Sequence, residues 1–138
     1  MIGLVIATHG RIASAAAEAA EIVLGPQDAL ATVDLPSNAS GDDAWGLLRD
    51  AVAAADRGQG ALILVDMLGG TPSNLAMALL ARERIEVLTG VNLPMVLRAL
   101  RQRDTLALAE LANDVAAYGQ RNITVASDWL RPTTKEGR

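Results

Sequence analysis

Cysteine is absent from the chain, and histidine occurs once, as His9. The first absence excludes thiol catalysis and a disulfide scaffold, and it fits a cytoplasmic protein. The second excludes a metal site built from several histidines, so any imidazole chemistry must be that of His9. Aromatic residues make up only 2% of a chain that is 51% apolar. The core must therefore be built from Leu, Val, Ile, Ala and Met. Twelve basic residues against sixteen acidic ones give a net charge of -4, which argues against a general nucleic-acid binder. No apolar stretch is long enough to span a bilayer, and the apolar start lacks the basic lead of a signal peptide. The 138 residues suit one domain with a sizeable core.

What is present is organised around Met1 to Gly10, MIGLVIATHG. Ile2, Leu4, Val5 and Ile6 form a β-branched-rich run, apolar on both faces, as in a central strand of a parallel sheet. His9 stands where that strand stops. From Ile12 to Leu24 the spacing is helical, with Ile12, Ala15, Ala16, Ala19, Ile22 and Val23 as the apolar set, and Gly25-Pro26 ends it. A short strand follows over residues 29–35. Ser40 caps a helix bearing Asp42 and Asp43 in its first turn, with Trp45, Leu48, Val52 and Ala55 on its apolar face.

ALILVD, residues 61–66, is the second strong strand, and Asp66 ends it. The turn Gly69-Gly70-Thr71-Pro72-Ser73-Asn74 leads into a helix, with Thr71 as its N-cap and Pro72 at its first position. IEVLT (85–89), GVNL (90–93) and a short helix from Pro94 come next. Asp104 or Thr105 caps a longer helix that ends near Gly119. NITVAS, residues 122–127, reads as a last strand, and residues 131–138 as a loose polar tail behind a single domain over residues 1–130.

Strands alternating with helices predict a doubly wound, mostly parallel α/β sheet with helices on both faces, in the order 2-1-3-4. Its topological switch point lies between the first and third strands. That brings His9, Asp66 and the Gly-rich helix start into one crevice. A neutral imidazole is a nucleophile through one nitrogen when a carboxylate holds the proton on the other. Asp66 is placed to orient His9 in this way. The amides of Gly70 to Ser73, with a helix dipole behind them, suit an anion. Gly69, Gly70, Thr71 and Ser73 are thus candidate phosphate-binding residues, Thr71 adding a hydroxyl donor. A nucleophilic nitrogen facing an anion cradle points to phosphoryl transfer. Each part has a plainer reading: a structural histidine, a carboxylate capping a turn, a well-made strand-to-helix turn. Their coincidence at one crevice favours chemistry. No nucleotide-binding loop, metal site or cofactor is indicated.

The strand ending THG, the LVD, the GGTPSN turn and the later GVNLP resemble the IIA domain of the mannose family of the bacterial phosphotransferase system (PTS) over roughly the first 120 residues. The resemblance implies that the phosphocarrier protein HPr phosphorylates a histidine, matched by His9. The phosphoryl group then passes to a IIB partner that phosphorylates an incoming sugar. It matches the family's carboxylate to Asp66 and its turn hydroxyl to Thr71. It also implies a homodimer in which the final strand, matched by residues 122–127, runs antiparallel and pairs across subunits. No IIB domain is expected within this chain. Arg11 and Trp45 receive no role, and the sugar is not specified.

A regulatory IIA phospho-switch without transport is the nearest alternative, followed by the phosphodonor of dihydroxyacetone kinases. A response-regulator receiver domain would share the strand order and use Asp66. It also needs acidic residues after the first strand and a lysine after the last. The chain has Thr8-His9-Gly10 at the first place, and its only lysine is Lys135.

Overall fold

Strand β1 (Gly3–His9) carries Leu4 and Ile6 on one face and Val5 and Ala7 on the other, and all four are buried. This period of two divides the core. The computed structural model describes residues 1–67, 69–80 and 84–131. In it, β1 lies between β2 (Leu30–Leu35) and β3 (Ala61–Val65), with β4 (Ile85–Leu88) beyond β3. All pairings are parallel, in the predicted order 2-1-3-4. Leu4, Ile6, Leu62 and Leu64 pack under helices α1 (Ile12–Leu24), α4 (Leu93–Gln102) and α5 (Leu108–Arg121). Val5, Ala7, Ile63 and Val65 pack under α2 (Gly41–Ala55) and α3 (Thr71–Leu79). Burying each of these Leu, Ile and Val side chains contributes about 1.5–3 kcal/mol.

Local chemistry sets the helix starts. Ser40 Oγ accepts from the Asp43 amide at 3.0 Å, as the sequence predicts for α2. Asn92 Oδ1 accepts from the Met95 amide at 3.0 Å, while its Nδ2 donates to the Gly119 carbonyl at 3.2 Å. One side chain therefore caps α4 and ties it to the end of α5. Arg98 makes a bidentate pair with Asp114, at 2.7 and 3.1 Å, and lies over the Tyr118 ring. The paired guanidinium holds the Asp114 carboxyl below its ordinary pKa.

Arg103, just past α4, is only 2% exposed. Its Nη1 donates to the Ala29 carbonyl at 3.0 Å and its Nη2 to that of Asp28 at 2.6 Å. Weaker bonds reach the Ile2 carbonyl and Gln27. This guanidinium satisfies carbonyls at the amino edge of the sheet, opposite the strand ends that carry His9 and Asp66. Burial lowers its pKa, and the neighbouring Asp104 and Asp28 carboxylates oppose that.

Four sequence expectations require correction. The buried stripe of α1 is Ala13, Ala17 and Ala20; Ile12, Ile22 and Val23 are exposed. An alanine-rich helix offers two faces of similar hydropathy, and the one with small side chains fits closest to the sheet. The N-cap of α3 is Gly70, and Thr71 is already helical. Neither Asp104 nor Thr105 caps α5, whose N-cap is Ala107; the Thr105 hydroxyl instead donates to the Gln102 carbonyl and closes α4.

Finally, NITVAS makes no strand, so the antiparallel C-terminal strand is not part of this sheet. Asn122 caps α5, and a short helix, α6 (Ala126–Leu130), follows with no buried residue. A β-rich segment needs a neighbouring strand to satisfy its backbone, and among the described residues this one pairs with none. The tail predicted over 131–138 falls, apart from Arg131, outside the described residues.

Candidate functional site

β1 and β3 are adjacent and parallel, so their carboxyl ends deliver His9 and Asp66 side by side. Asp66 Oδ2 accepts the His9 amide at 2.9 Å and lies 2.7 Å from His9 Nδ1. Asp66 Oδ1 accepts the Met67 amide at 3.0 Å. Partial burial raises the Asp66 pKa, but the His9 amide, the His9 imidazole and the Met67 amide together outweigh it. The carboxyl is held below its ordinary value and stays ionised. An ionised acceptor requires Nδ1 to be the donor. In the neutral imidazole the proton is therefore assigned to Nδ1, which leaves the lone pair on Nε2. Nε2 has no partner among the described residues, and the imidazole is about half exposed while Asp66 is largely buried.

Gly70 makes room for the ring. A Cβ on Gly70 would lie 2.9 Å from His9 Nε2 and closer still to Cε1. Beside it, Gly69 adopts a φ of 92°, which an L side chain rarely takes. The two glycines that suggested close backbone approach thus serve different ends, one the turn and one the imidazole.

Two helix N-termini face this region, and they differ. The first amides of α1 are already taken: Thr8 Oγ1 accepts from Ala13 at 2.8 Å and Asp34 Oδ1 from Ser14 at 3.0 Å. Neither Thr8 nor Asp34 stood out in the sequence, although a threonine five residues before an amide it caps is a readable signal. At α3, Gly70 supplies no side-chain cap and the first turn holds no acidic residue. The amides of Thr71 and Ser73 find no acceptor among the described residues. The positive end of the α3 dipole is left open, and that of α1 is closed.

A cavity of about 420 Å³ is lined by His9, Gly10, Leu35, Pro36, Ser37, Ala39, Thr71 and Pro72. A shallow depression of similar volume, about 390 Å³, lies between α1 and the edge strand β2 around Ser14, Glu18, Glu21 and Thr32. Size does not separate the two; of these two, the first has the imidazole in its wall. Thr71 is exposed and borders the cavity, its hydroxyl without a hydrogen bond among the described residues. Ser73 is buried, and its hydroxyl has no partner among the described residues. It does not line the cavity; what it presents at the uncapped start of α3 is its backbone amide. Among the described residues, no cluster of three His, Cys, Asp or Glu could hold a metal ion.

The comparisons with known proteins give first the class: IIA components of the PTS. The family described as "PTS system fructose IIA component" (EIIA-man) matches residues 3–116. The chain is 31% identical over 131 residues to the fructose-specific EIIA component of Bacillus subtilis (strain 168), covering 94% of this chain and 90% of that one. It is 35% identical over 104 residues to the mannose-specific EIIAB component of Escherichia coli K12. That match covers 75% of this chain and 32% of the relative, so the chain spans about a third of that longer protein. The crystal structure of EIIA from Streptococcus agalactiae superimposes with a TM-score of 0.84 at 27% identity, covering 92% of this chain and 98% of that one. The chain belongs to the mannose-type EIIA family of the PTS.

Proposed function

We propose that this domain is a phosphocarrier that accepts a phosphoryl group from HPr on His9 Nε2 and passes it to a IIB partner for sugar uptake. The observation that carries this reading is the 2.7 Å contact of His9 Nδ1 with an ionised Asp66, which leaves Nε2 as the nucleophile beside the open end of α3. In the forward step, the Nε2 lone pair bonds to phosphorus as the bond from phosphorus to the donor breaks. The imidazole, retaining its Nδ1 proton, becomes cationic. Asp66 stabilises that charge, and the Thr71 hydroxyl with the amides of Gly70, Thr71 and Ser73 receives the phosphoryl oxygens. Transfer to IIB reverses these changes. Family membership supports the same donor and acceptor.

The domain, spanning residues 1–130, works in the cytoplasm as a homodimer. Among the described residues no helix is long and apolar enough to cross a membrane.

The test is to incubate the protein with phosphoenolpyruvate, Enzyme I and HPr and locate the phosphate. A phosphoramidate is labile in acid and stable in base; an acyl phosphate on Asp66 is cleaved by base and hydroxylamine. The expected label is acid-labile, base-stable and absent from His9→Ala. Label that survives His9→Ala, or that needs acetyl phosphate and Mg²⁺ and depends on Asp66, would overturn the reading.

A further inference from the structure

The 2.7 Å contact with Asp66 fixes one atom of the His9 ring, Nδ1. One point does not fix a plane. The torsion that turns an imidazole about its Cβ–Cγ bond has broad wells, so the ring needs a second restraint if Nε2 is to keep one direction. The position that a Cβ would take on Gly70 shows where that restraint lies. It is 2.9 Å from His9 Nε2, closer still to Cε1, and 3.6 Å from Met67 Cγ, and these are its three nearest neighbours. The Cε1–Nε2 edge of the imidazole and the Met67 side chain therefore meet over the Gly70 Cα. Neither Gly70 nor Met67 lines the cavity that His9 and Thr71 border, so this contact leaves the cavity side of the ring open.

Met67 is 54% exposed, so the demands of the core do not account for its side chain. Its backbone has a separate duty, since the Met67 amide donates to Asp66 Oδ1 at 3.0 Å, a bond that any residue but proline supplies. An unbranched thioether adapts its shape to a neighbouring ring. We infer that Met67 is a positioning residue for His9: its side chain bears on the imidazole over Gly70 and keeps Nε2 in one direction while Asp66 holds Nδ1. The effect on transfer expected below rests on the phosphocarrier reading above; the effect on the ring does not.

The test compares wild type with Met67→Ala and Met67→Leu, both of which keep the amide bond to Asp66. His9 is the only histidine, so its two ring nitrogens are read without ambiguity by nitrogen-15 NMR of the whole chain. At about pH 8, where an ordinary histidine is neutral, wild type should show one protonated nitrogen, Nδ1, and one bare nitrogen, Nε2. Met67→Ala should draw the two signals towards each other, because a ring that swings off Asp66 shares its proton between both nitrogens. Met67→Leu, apolar and of similar volume, should keep the wild-type pattern. In transfer from phosphorylated HPr, Met67→Ala should lower kcat by about threefold to tenfold with KM unchanged, since small misplacements of a nucleophile are costly. Met67→Leu should restore the rate. Thermal unfolding midpoints should agree among all three proteins, because the side chain is exposed. An unchanged imidazole spectrum in Met67→Ala would overturn the inference whatever the rate. So would a rise in KM at constant kcat, which would mean that Met67 touches the partner instead. Should wild type take no label from HPr, the phosphocarrier reading fails, while the imidazole spectra still decide whether Met67 holds the ring.

Discussion

The Gly70 backbone lies against the His9 imidazole so closely that a methyl group there would come within 2.9 Å of Nε2. The ring, about half exposed, is the part that can give way. Gly70→Ala should therefore turn the imidazole off the Asp66 axis and slow phosphotransfer by tenfold or more, since small misplacements of a nucleophile are costly. Its unfolding midpoint should change little, because the displaced group sits at the surface. Normal transfer rates in a folded Gly70→Ala protein would show that the ring position does not matter.

Asp66 makes stability depend on pH with a definite sign. Its folded pKa lies below the ordinary 3.8. Its ionised form therefore stabilises the fold in full above that ordinary value, and the contribution is lost as pH falls through the lower, folded one. Asp66→Asn removes the titration. The difference in urea midpoint between wild type and Asp66→Asn should shrink as pH falls from about 5 towards pH 3. A gap that does not change with pH would mean that the carboxylate charge contributes nothing.

Thr71 is the first helical residue of α3 rather than its cap, so its hydroxyl has no helix-capping duty to lose. Thr71→Ala should stay within about 0.5 kcal/mol of wild-type stability, as exposed substitutions generally do. It should nonetheless slow labelling of His9, and Thr71→Ser should restore the rate. Identical rates in all three proteins would remove Thr71 from the phosphoryl site.

Arg103 should behave in the opposite way. Its guanidinium is the donor for the buried Ala29 carbonyl and the part-buried Asp28 carbonyl at the far edge of the sheet. Arg103→Met keeps the aliphatic stem but strands those acceptors, at a cost of about 1–3 kcal/mol for each fully buried one. Urea unfolding should show a loss of about 2–4 kcal/mol, with normal transfer rates once the variant is folded. Lysine should not rescue it, since an ammonium cannot span the Ala29 and Asp28 carbonyls as a planar fork does.

The sheet and the His9–Asp66 pair were legible because both follow from long-range order that short sequence signals report directly. A run such as LVIA can be buried only in a central strand, and parallel topology then brings the strand ends together. Less legible was anything decided by competition between similar options. In α1 nearly every position is small or apolar, so the sequence does not say which face meets the sheet; packing distance selects Ala13, Ala17 and Ala20. Thr71 and Gly70 are both acceptable caps, and the crowding of His9 against Gly70 decides the turn. The part played by Asp34 was hidden because it depends on an amide twenty residues upstream, at Ser14.

The segment after α5 misled for a different reason: its β-rich character is real, but within one chain it pairs with no strand. Ile123, Val125, Trp129 and Leu130 are 78%, 65%, 72% and 87% exposed, a large apolar content for a surface segment of nine residues, 122–130. β4 meanwhile is an edge of the sheet. Exposed apolar segments and open edges both call for cover, and a second copy of the chain supplies one of each. The expected outcome is a dimer by light scattering at micromolar concentration. A chain ending at Asn122, which keeps α5 and its cap, should run as a folded monomer. Because truncation could also unfold α5, Val125→Asp and Trp129→Asp in the full chain provide the cleaner test. Both should shift the mass to monomer while leaving the far-ultraviolet circular dichroism and His9 labelling near wild type. A full-length monomer, or variants that keep the dimer mass, would rule out assembly through this segment.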